Sequence, residues 1–437
     1  MRVSGLASSL DWEALIASLM ALERRPITLM TERRDGLLAT RTAWLDINAR
    51  LGEIKAKAYG LKQEAAFGTL LVESGDEAVV VGTATTEARP GTFDVTVASL
   101  AQAHKVASDA QADNTSPLGL TGTFQVNGIG VTVAAGDSLA AVSDKINQAE
   151  AGVTASLVGT TLVLTRDDTG STPISLVDDP GTDILTQLGV FDALDQFKHQ
   201  LAAAQDASFT VDTLSFTRSS NVVSDVIPGV TFTLKKASST PVSLRVVTDV
   251  DHAVSAVKDF VAAYNAALDT IAEELGSGGR LRADPTLVGI QWDLRRMVSE
   301  PVSGLPSTLD RLSQVGVTAG DTAGHLTVDE EALRAAIEAD PAGVAAIFQE
   351  GTGGVAVRLH DYLGALTQTG GLILGSADSL QERADRIDED IRQLEARLKL
   401  QEEALYRQYT QMEVTISTLQ NQSAWLAAQS NVWFGSP

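Results

Sequence analysis

The C-terminal stretch from Ala377 to Ser423 constrains the fold more than any other part of the sequence. Its apolar residues recur at alternating steps of four and three, and then at steps of seven: Leu380, Ala384, Ile387, Ile391, Leu394, Leu398, Leu405 and Met412. This heptad pattern predicts a long helix that buries a narrow stripe against another helix. No proline lies between Pro341 and Pro437, so the sequence does not force the helix to end early.

The N-terminal residues predict a partner for this helix. Residues 4–35 predict a helix that Ser9 or Asp11 can cap and that Pro26 interrupts or kinks. A second helix is predicted from about Leu37 to Leu61. Its apolar residues, at steps of three and four, are Trp44, Ile47, Leu51, Ile54, Ala58 and Leu61. Because both ends of the chain carry narrow apolar stripes, we expect them to pair in a coiled coil or bundle.

The middle of the chain has the pattern of a β-rich region. From Ala78 to about Val247, short Val- and Thr-rich runs alternate with Gly, Pro, Asn and Asp. Candidate strands include Gly91–Ser99, Gly122–Val126, Ile129–Ala134, Val153–Val158 and Leu214–Arg218, with a hairpin turn at Asn127-Gly128. One predicted helix, near residues 138–148, interrupts the strands. Helices return at Asp251–Leu275, Pro285–Val298 and Asp329–Ala339.

This order predicts an α+β multidomain protein. Both termini form a discontinuous helical coiled-coil or bundle stalk, and a β-rich head of one or two nested modules is inserted between them. The predicted divisions are an N-terminal helical arm (1–36), a helical stalk domain (37–74 plus 251–376), a β-rich head module (75–117 plus 199–250), a nested β-helix head module (118–198) and a C-terminal coiled-coil arm (377–437).

Composition argues against several functional classes. The net charge of −23 argues against nucleic acid as a partner, since phosphate binding needs concentrated Lys and Arg. The absence of cysteine rules out disulfides, thiolate zinc sites and cysteine nucleophiles. No apolar run reaches the roughly 18 to 20 residues of a membrane span, and the start of the chain lacks the apolar segment of a signal peptide. We therefore expect no membrane insertion.

The sequence offers no catalytic or cofactor motif. The five histidines are widely spaced and form no metal-ligand pair. The carboxylate clusters at 167–168, 178–179 and 388–390 are predicted to be solvated, because acid–base work needs unlike environments for two carboxyl groups. The Gly276–Gly279 loop lacks the Lys-Ser/Thr of a phosphate loop. We expect no enzyme, no cofactor and no metal.

Several short sequences indicate a family. They are SGLASSLD at 4–11 with LMALERRP at 19–26, PGTFDVTV at 90–97, TRSSN at 217–221 with IPGVT at 227–231, VGV at 315–317 with GHLTVD at 324–329, and NQSAWL at 421–426. In this order they resemble the flagellar filament cap protein family, also called flagellar hook-associated protein 2. The stretch Asp137–Leu164 resembles a β–helix module shared with other flagellar hook and filament proteins. The tail Val432–Pro437 departs from the family pattern.

The resemblance implies a structural protein at the distal end of the bacterial flagellar filament, needed for filament assembly and motility. It implies a homo-oligomeric, pentamer-like ring that promotes incorporation of exported flagellin. Hook–filament junction proteins, before filament growth, and a flagellar export chaperone are the other implied partners. The implied location is the filament tip, reached by secretion through the flagellar type III system without a cleaved signal peptide. The alternative is a surface adhesin that the flagellum displays through its acidic β-rich head.

The ends of the chain carry more apolar surface than one intrachain helix pair buries, which indicates an interaction site. The seam up to Leu398 is predicted to be mostly an intrachain contact. It weakens where Gln401 and Gln408 take seam positions, and its register is expected to shift at Thr415-Ile416. The candidate partner-contact residues are Leu19, Met20, Ile416, Leu419, Trp425, Leu426, Trp433 and Phe434.

Overall fold

The computed structural model describes the backbone of residues 11–434 and the side chains of residues 11–429. The chain divides into two compact units. Unit 1 contains the chain up to Gln63 and from Val254 onward, and unit 2 contains Glu64–Ala253. A β-rich region is therefore inserted between helical termini, which confirms the predicted α+β fold class.

The secondary structure consists of eleven α-helices, seventeen strands and one short 3-10 helix within the described residues. The helices are α1 (Trp12–Glu23), α2 (Arg25–Lys62), α3 (Ala65–Gly68), α4 (Leu139–Gln148), α5 (Ile184–Gln187), α6 (Val250–Leu275), α7 (Pro285–Ser299), α8 (Glu330–Ala339), α9 (Pro341–Gln349), α10 (Val355–Thr367) and α11 (Leu372–Phe434). The 3-10 helix is Leu312–Val315.

The strands are short and nearly all belong to unit 2. They are β1 (Leu70–Ser74), β2 (Val80–Ala84), β3 (Gly91–Ser99), β4 (Lys105–Ala107), β5 (Gly122–Val126), β6 (Ile129–Val133), β7 (Val153–Val158), β8 (Thr161–Arg166), β9 (Leu176–Asp178), β10 (His199–Ala202), β11 (Ala207–Val211), β12 (Leu214–Arg218), β13 (Val222–Ile227), β14 (Val230–Leu234), β15 (Ser238–Thr248), β16 (Val317–Ala319) and β17 (Leu326–Val328).

The first two helices are separated by a short break at Arg24. Asp11 caps α1 by accepting a hydrogen bond from the backbone N–H of Ala14 at 3.0 Å. Ser9, the other predicted cap, lies outside the described residues. Pro26 falls in the first turn of α2, where its missing N–H has no helical partner to lose. The predicted interruption at Pro26 is confirmed, but the second helix begins at Arg25 and not near Leu37.

Unit 1 is built on the apolar stripe of α2. Each residue of the predicted stripe is buried: Trp44, Ile47, Leu51, Ile54, Ala58 and Leu61. This stripe packs against α11 and α10, so the predicted pairing of the two ends of the chain is confirmed. At the end of α2, the Gln349 side chain donates to the backbone carbonyls of Leu61 and Gln63 at 3.0 and 2.7 Å. These bonds supply partners for carbonyl groups at the helix end.

The remainder of unit 1 consists of helices and one small hairpin. Helix α6 follows the predicted bounds closely, and its apolar face is buried. Strands β16 and β17 pair antiparallel between the 3-10 helix and α8. Asp329, the first residue of the predicted helix, caps α8 by accepting a hydrogen bond from the backbone N–H of Ala332. Helix α10, whose Leu359 and Leu363 are fully buried, was not among the predicted helices.

Unit 2 contains four antiparallel sheets. Their strand orders are β1-β15-β3-β11-β12, β10-β4-β8-β7, β13-β14-β2 and β6-β5-β9. The predicted strands Gly91–Ser99, Gly122–Val126, Val153–Val158 and Leu214–Arg218 are confirmed residue for residue, and Ile129–Ala134 to within one residue. Asn127 and Gly128 both have positive φ, 47° and 84°, as a tight hairpin turn requires.

Two separate apolar clusters form the interior of unit 2. One surrounds α4 and includes Phe124, Leu139, Ile146 and Leu164. The other includes Phe209 and Phe232, whose rings meet edge to face with centroids 5.7 Å apart. Two clusters are what a nested module would produce, while the predicted domain boundaries remain predictions.

None of the described helices combines the length and apolar content needed to cross a membrane. Within residues 11–434, no group of three or more His, Cys, Asp or Glu side chains is placed to hold a metal ion.

Candidate contact surface on the terminal helices

The start of α1 is fixed to α11 by a tryptophan. The Trp12 ring stacks on Tyr409, with centroids 4.6 Å apart and planes inclined by 20°. Its indole N–H donates to a carboxylate oxygen of Glu413 at 2.5 Å. A tryptophan in this position contributes both apolar area and a satisfied polar group.

Two ion pairs show that the N-terminal helices run antiparallel to α11. Arg24 lies 3.7 Å from Glu402, and Arg34 lies 2.8 Å from Asp388. Residues later in the N-terminal helices thus meet residues earlier in α11. The hydrogen bond to Asp388, with a second to Asp35, raises the pKa of the Arg34 guanidinium. These pairs are exposed or only partly buried, and they set the register more than they stabilise the fold.

A small apolar cluster lies between α1 and α11. Ile16, Met20 and Leu398 are all at least 96% buried. Their half-buried neighbours are Ile27, Leu394, Leu405, Tyr406 and Tyr409. Met20, a predicted partner-contact residue, therefore packs inside the chain, because it shares the inward face of α1 with Ile16 one turn earlier. The structure places it apart from the exposed candidates.

A neighbouring face of the N-terminal helices exposes a leucine row. Leu15, Leu19, Leu22 and Leu29 are 51, 38, 58 and 65% exposed. Their spacing is that of one side of a heptad, with Pro26 in the remaining position. Only Leu19 was among the predicted contact residues. The other three could have been found from this spacing, which separates them from Ile16 and Met20.

A seven-residue row on α11 passes from the interior to the surface. Its members and their exposures are Ala384 (0%), Ile391 (8%), Leu398 (4%), Met412 (36%), Leu419 (57%) and Leu426 (60%), with half-buried Leu405 between Leu398 and Met412. The expected register shift at Thr415-Ile416 does not occur in this row, since Leu419 and Leu426 continue the spacing of seven. Beyond Leu398 the residues of this row are progressively less buried, so Leu419 and Leu426 lie on the surface of α11.

The remaining predicted residues lie on the same segment. Trp425 is 63% exposed and Ile416 is half-buried. Trp433 and Phe434 belong to α11, but their side chains lie outside the described residues. From Val414 to Phe434 the sequence contains no Asp, Glu, Lys or Arg, although 20% of the chain is charged. We call Val414–Phe434 the distal segment.

The distal segment has the chemistry of an interface. At 1.5 Å per residue it extends about 30 Å past the Trp12–Glu413 contact. Depletion of charge combined with exposed leucine and tryptophan distinguishes contact surfaces from ordinary solvated surface. The arrangement can bury apolar area against other helices. The lack of charged residues from 414 to 434 is visible in the sequence, but the periodicity of the apolar residues does not reveal it.

Comparison with known proteins identifies related sequences over most of the chain. The family described as flagellar hook-associated protein 2 N-terminus matches residues 8–104. The family described as flagellar hook-associated protein 2 C-terminus matches residues 204–421. Between them, residues 121–168 match the flagellin hook IN motif. The matched order is that of the predicted resemblance.

Individual relatives agree with this result. The chain is 28% identical to flagellar hook-associated protein 2 of Escherichia coli K12, over 97% of both chains. It is 30% identical to the B-type flagellar hook-associated protein 2 of Pseudomonas aeruginosa, over 92% of this chain and 91% of the relative. The crystal structure of the flagellar cap protein FliD D1-D2-D3 domains from Escherichia coli matches with a TM-score of 0.62 and 28% identity, covering 78% of this chain and 99% of that chain.

Proposed function

Because this chain belongs to the flagellar hook-associated protein 2 family, we propose that it caps the distal end of the bacterial flagellar filament and promotes the incorporation of flagellin there. The family is one of structural flagellar cap proteins and not of enzymes, as the sequence predicted. The match spans 97% of the Escherichia coli relative, so the proposal concerns the whole protein and not a shared fragment.

The observation that carries the proposal is the exposed, charge-free distal segment. Leu419, Trp425 and Leu426 are each about 60% exposed on a helix whose apolar row is buried only as far as Leu398. Fully burying such a side chain is worth about 1.5–3 kcal/mol, so burying the exposed part of all three would contribute about 3–5 kcal/mol to association. We propose that this energy is realised against flagellin or a neighbouring copy at the filament end.

The leucine row on α1 and α2 supplies a second apolar face for the same purpose. Helices that pair through heptad rows can accept further helices on their outer faces. A ring of copies, pentamer-like, would need such repeated contacts between identical chains. The support for a ring is the family together with these two faces.

The finer partners and the route are proposals that rest on the family. They comprise hook–filament junction proteins before filament growth, an export chaperone, and secretion through the flagellar type III system to the filament tip. The C-terminal family match ends at residue 421, so the contacts of Trp425 and Leu426 are proposed from their exposure and not from the match.

A deletion strain tests the proposal. Without this chain, we expect cells that secrete flagellin into the medium, build few or no filaments and do not swim. Complementation with the full chain should restore filaments. Full-length filaments in the deletion strain would contradict the capping function.

Adhesion through unit 2 is a second candidate. Unit 2 exposes apolar side chains, among them Leu194 (79%), Leu201 (57%) and Leu214 (66%), where a surface ligand could bind. The same deletion strain separates the two functions. If the chain is an adhesin, its loss should leave the filaments intact and reduce only attachment to surfaces.

A further inference from the structure

A cavity in unit 1 lies apart from the terminal-helix surface. Its volume is about 300 Å³, and it is bounded by the end of α7, the 3-10 helix and the β16–β17 hairpin. Its floor is apolar and includes the buried side chains of Val298, Leu312 and Leu326. This size is at the lower end of pockets that hold small molecules.

The polar groups of the cavity are cationic or neutral. Two guanidinium side chains, Arg295 and Arg311, and two hydroxyl side chains, Ser299 and Ser313, line it. None of the described residues that line it is Asp or Glu. In a chain of net charge −23, a lining with two arginines and no carboxylate favours an anion.

Arg295 is available to such an anion. It forms no ion pair with another described residue, and its Nε is shielded from solvent without a hydrogen-bond partner. The side chain passes over Gly324, where a Cβ would come within 2.7 Å of Nε and where φ is +85°. An anion in the cavity would accept from the terminal nitrogens of Arg295, whose charge no described carboxylate compensates.

The neighbouring charges indicate a monoanion. Nε of Arg311 donates to Asp310 at 3.3 Å. The Arg311 side chain is about half exposed, and its terminal nitrogens take no part in that bond. Asp310 compensates the charge of Arg311, so of the two guanidinium groups that line the cavity only Arg295 has no carboxylate partner among the described residues. A carboxylate matches that charge better than a doubly charged phosphate.

The hairpin wall of the cavity is held in place from α6. His325 bonds through one ring nitrogen to Asp321 at 2.6 Å and through the other to Asp269 at 2.9 Å. Asn265 both donates to the carbonyl and accepts from the N–H of Leu326, at 2.8 Å each. These contacts engage the two nearby carboxylates with His325 and pre-form the wall, which lowers the cost of ligand binding.

We propose that this cavity binds a small organic monocarboxylate, with the carboxylate between Arg295 and Arg311 and a short apolar body on the floor formed by Val298, Leu312 and Leu326. This proposal does not depend on the capping function, so a test of one does not decide the other.

Calorimetric titration of the purified full-length chain tests the site, with sodium hexanoate as the probe and hexanol as its neutral counterpart. Arg295→Gln removes the unpaired charge, and Ala319→Phe fills the mouth while keeping both arginines. Arg282→Gln makes the same charge change on an exposed side chain outside the cavity. Circular dichroism confirms that each variant is folded.

The expected result is one hexanoate site that Arg295→Gln and Ala319→Phe each weaken by about tenfold or more, in line with loss of a charge-assisted hydrogen bond or of the cavity itself. Arg282→Gln should bind as the unaltered chain does. No binding of hexanoate, equal binding of hexanol, or unchanged binding by folded Ala319→Phe would each overturn the proposal.

Discussion

Replacing the three exposed apolar side chains of the distal segment should abolish capping without unfolding the protein. In the triple variant Leu419→Ala, Trp425→Ala, Leu426→Ala, the side chains lost are 57, 63 and 60% exposed in the free chain. Surface substitutions of this kind change stability by about 0.5 kcal/mol or less each. At an interface the same substitutions remove about 3–5 kcal/mol of burial, which weakens association by a factor of about 10² to 4 × 10³.

The assay is complementation of a deletion strain, scored by swimming and by filament length in electron micrographs. A matched control exists in the same unit: Val288, Trp292 and Leu400 are two aliphatic residues and one tryptophan with exposures of 46, 62 and 64%. Their triple alanine variant should restore swimming. Normal filaments with the distal-segment variant, or equal loss with the control, would refute the assignment of the interface.

Other predictions concern stability. Leu398→Ala leaves a cavity between α1 and α11 and should lower the free energy of unfolding, measured by urea denaturation, by about 2–4 kcal/mol. The pKa of His325 is raised, chiefly by its bond to Asp321, so its contribution is complete below the usual histidine pKa and is lost as pH rises through the raised value. The stability difference from His325→Gln should therefore shrink from pH 6 to pH 9, and a constant difference would contradict the ion pair. Gly229→Ala should destabilise by more than about 2 kcal/mol, because φ is +72° and its Cβ would lie 2.3 Å from a backbone nitrogen; Gly159→Ala, also at positive φ but in open space, should cost about 1 kcal/mol in the same assay.

The elements that sequence predicted best were those with strong periodicity. The stripe of α2 and the seam of α11 up to Leu398 were both found, since a heptad row reports directly which side chains face a partner. Strand β3 was found because its nine residues are rich in Thr and Val and follow the turn signal at Pro90-Gly91. The three-residue strands β4 and β9 were missed, because they are defined by pairing with distant strands and carry little local pattern.

The candidate site was predicted in part for the same reason. The sequence predicted contact residues on both terminal helices but grouped Met20 with Leu19. A broad apolar run on α1 does not indicate which of its residues pack against α11. The structure separates them by packing Met20 against Leu398 and leaving Leu19 outward. The cavity beside Arg295 had no sequence signal at all, because its walls come from three separate segments of the chain.

The most direct test of the capping account is site-specific cross-linking from the distal segment on intact flagella. The chain contains no cysteine, so Ser423→Cys introduces its only thiol, on an exposed position between Leu419 and Leu426. Ser307→Cys, exposed elsewhere in unit 1, is the control. The account predicts that a thiol–amine cross-linker joins position 423 to flagellin or to a second copy at the filament tip, and that position 307 gives much less product. Absence of any adduct from position 423 in cells that swim normally would contradict it.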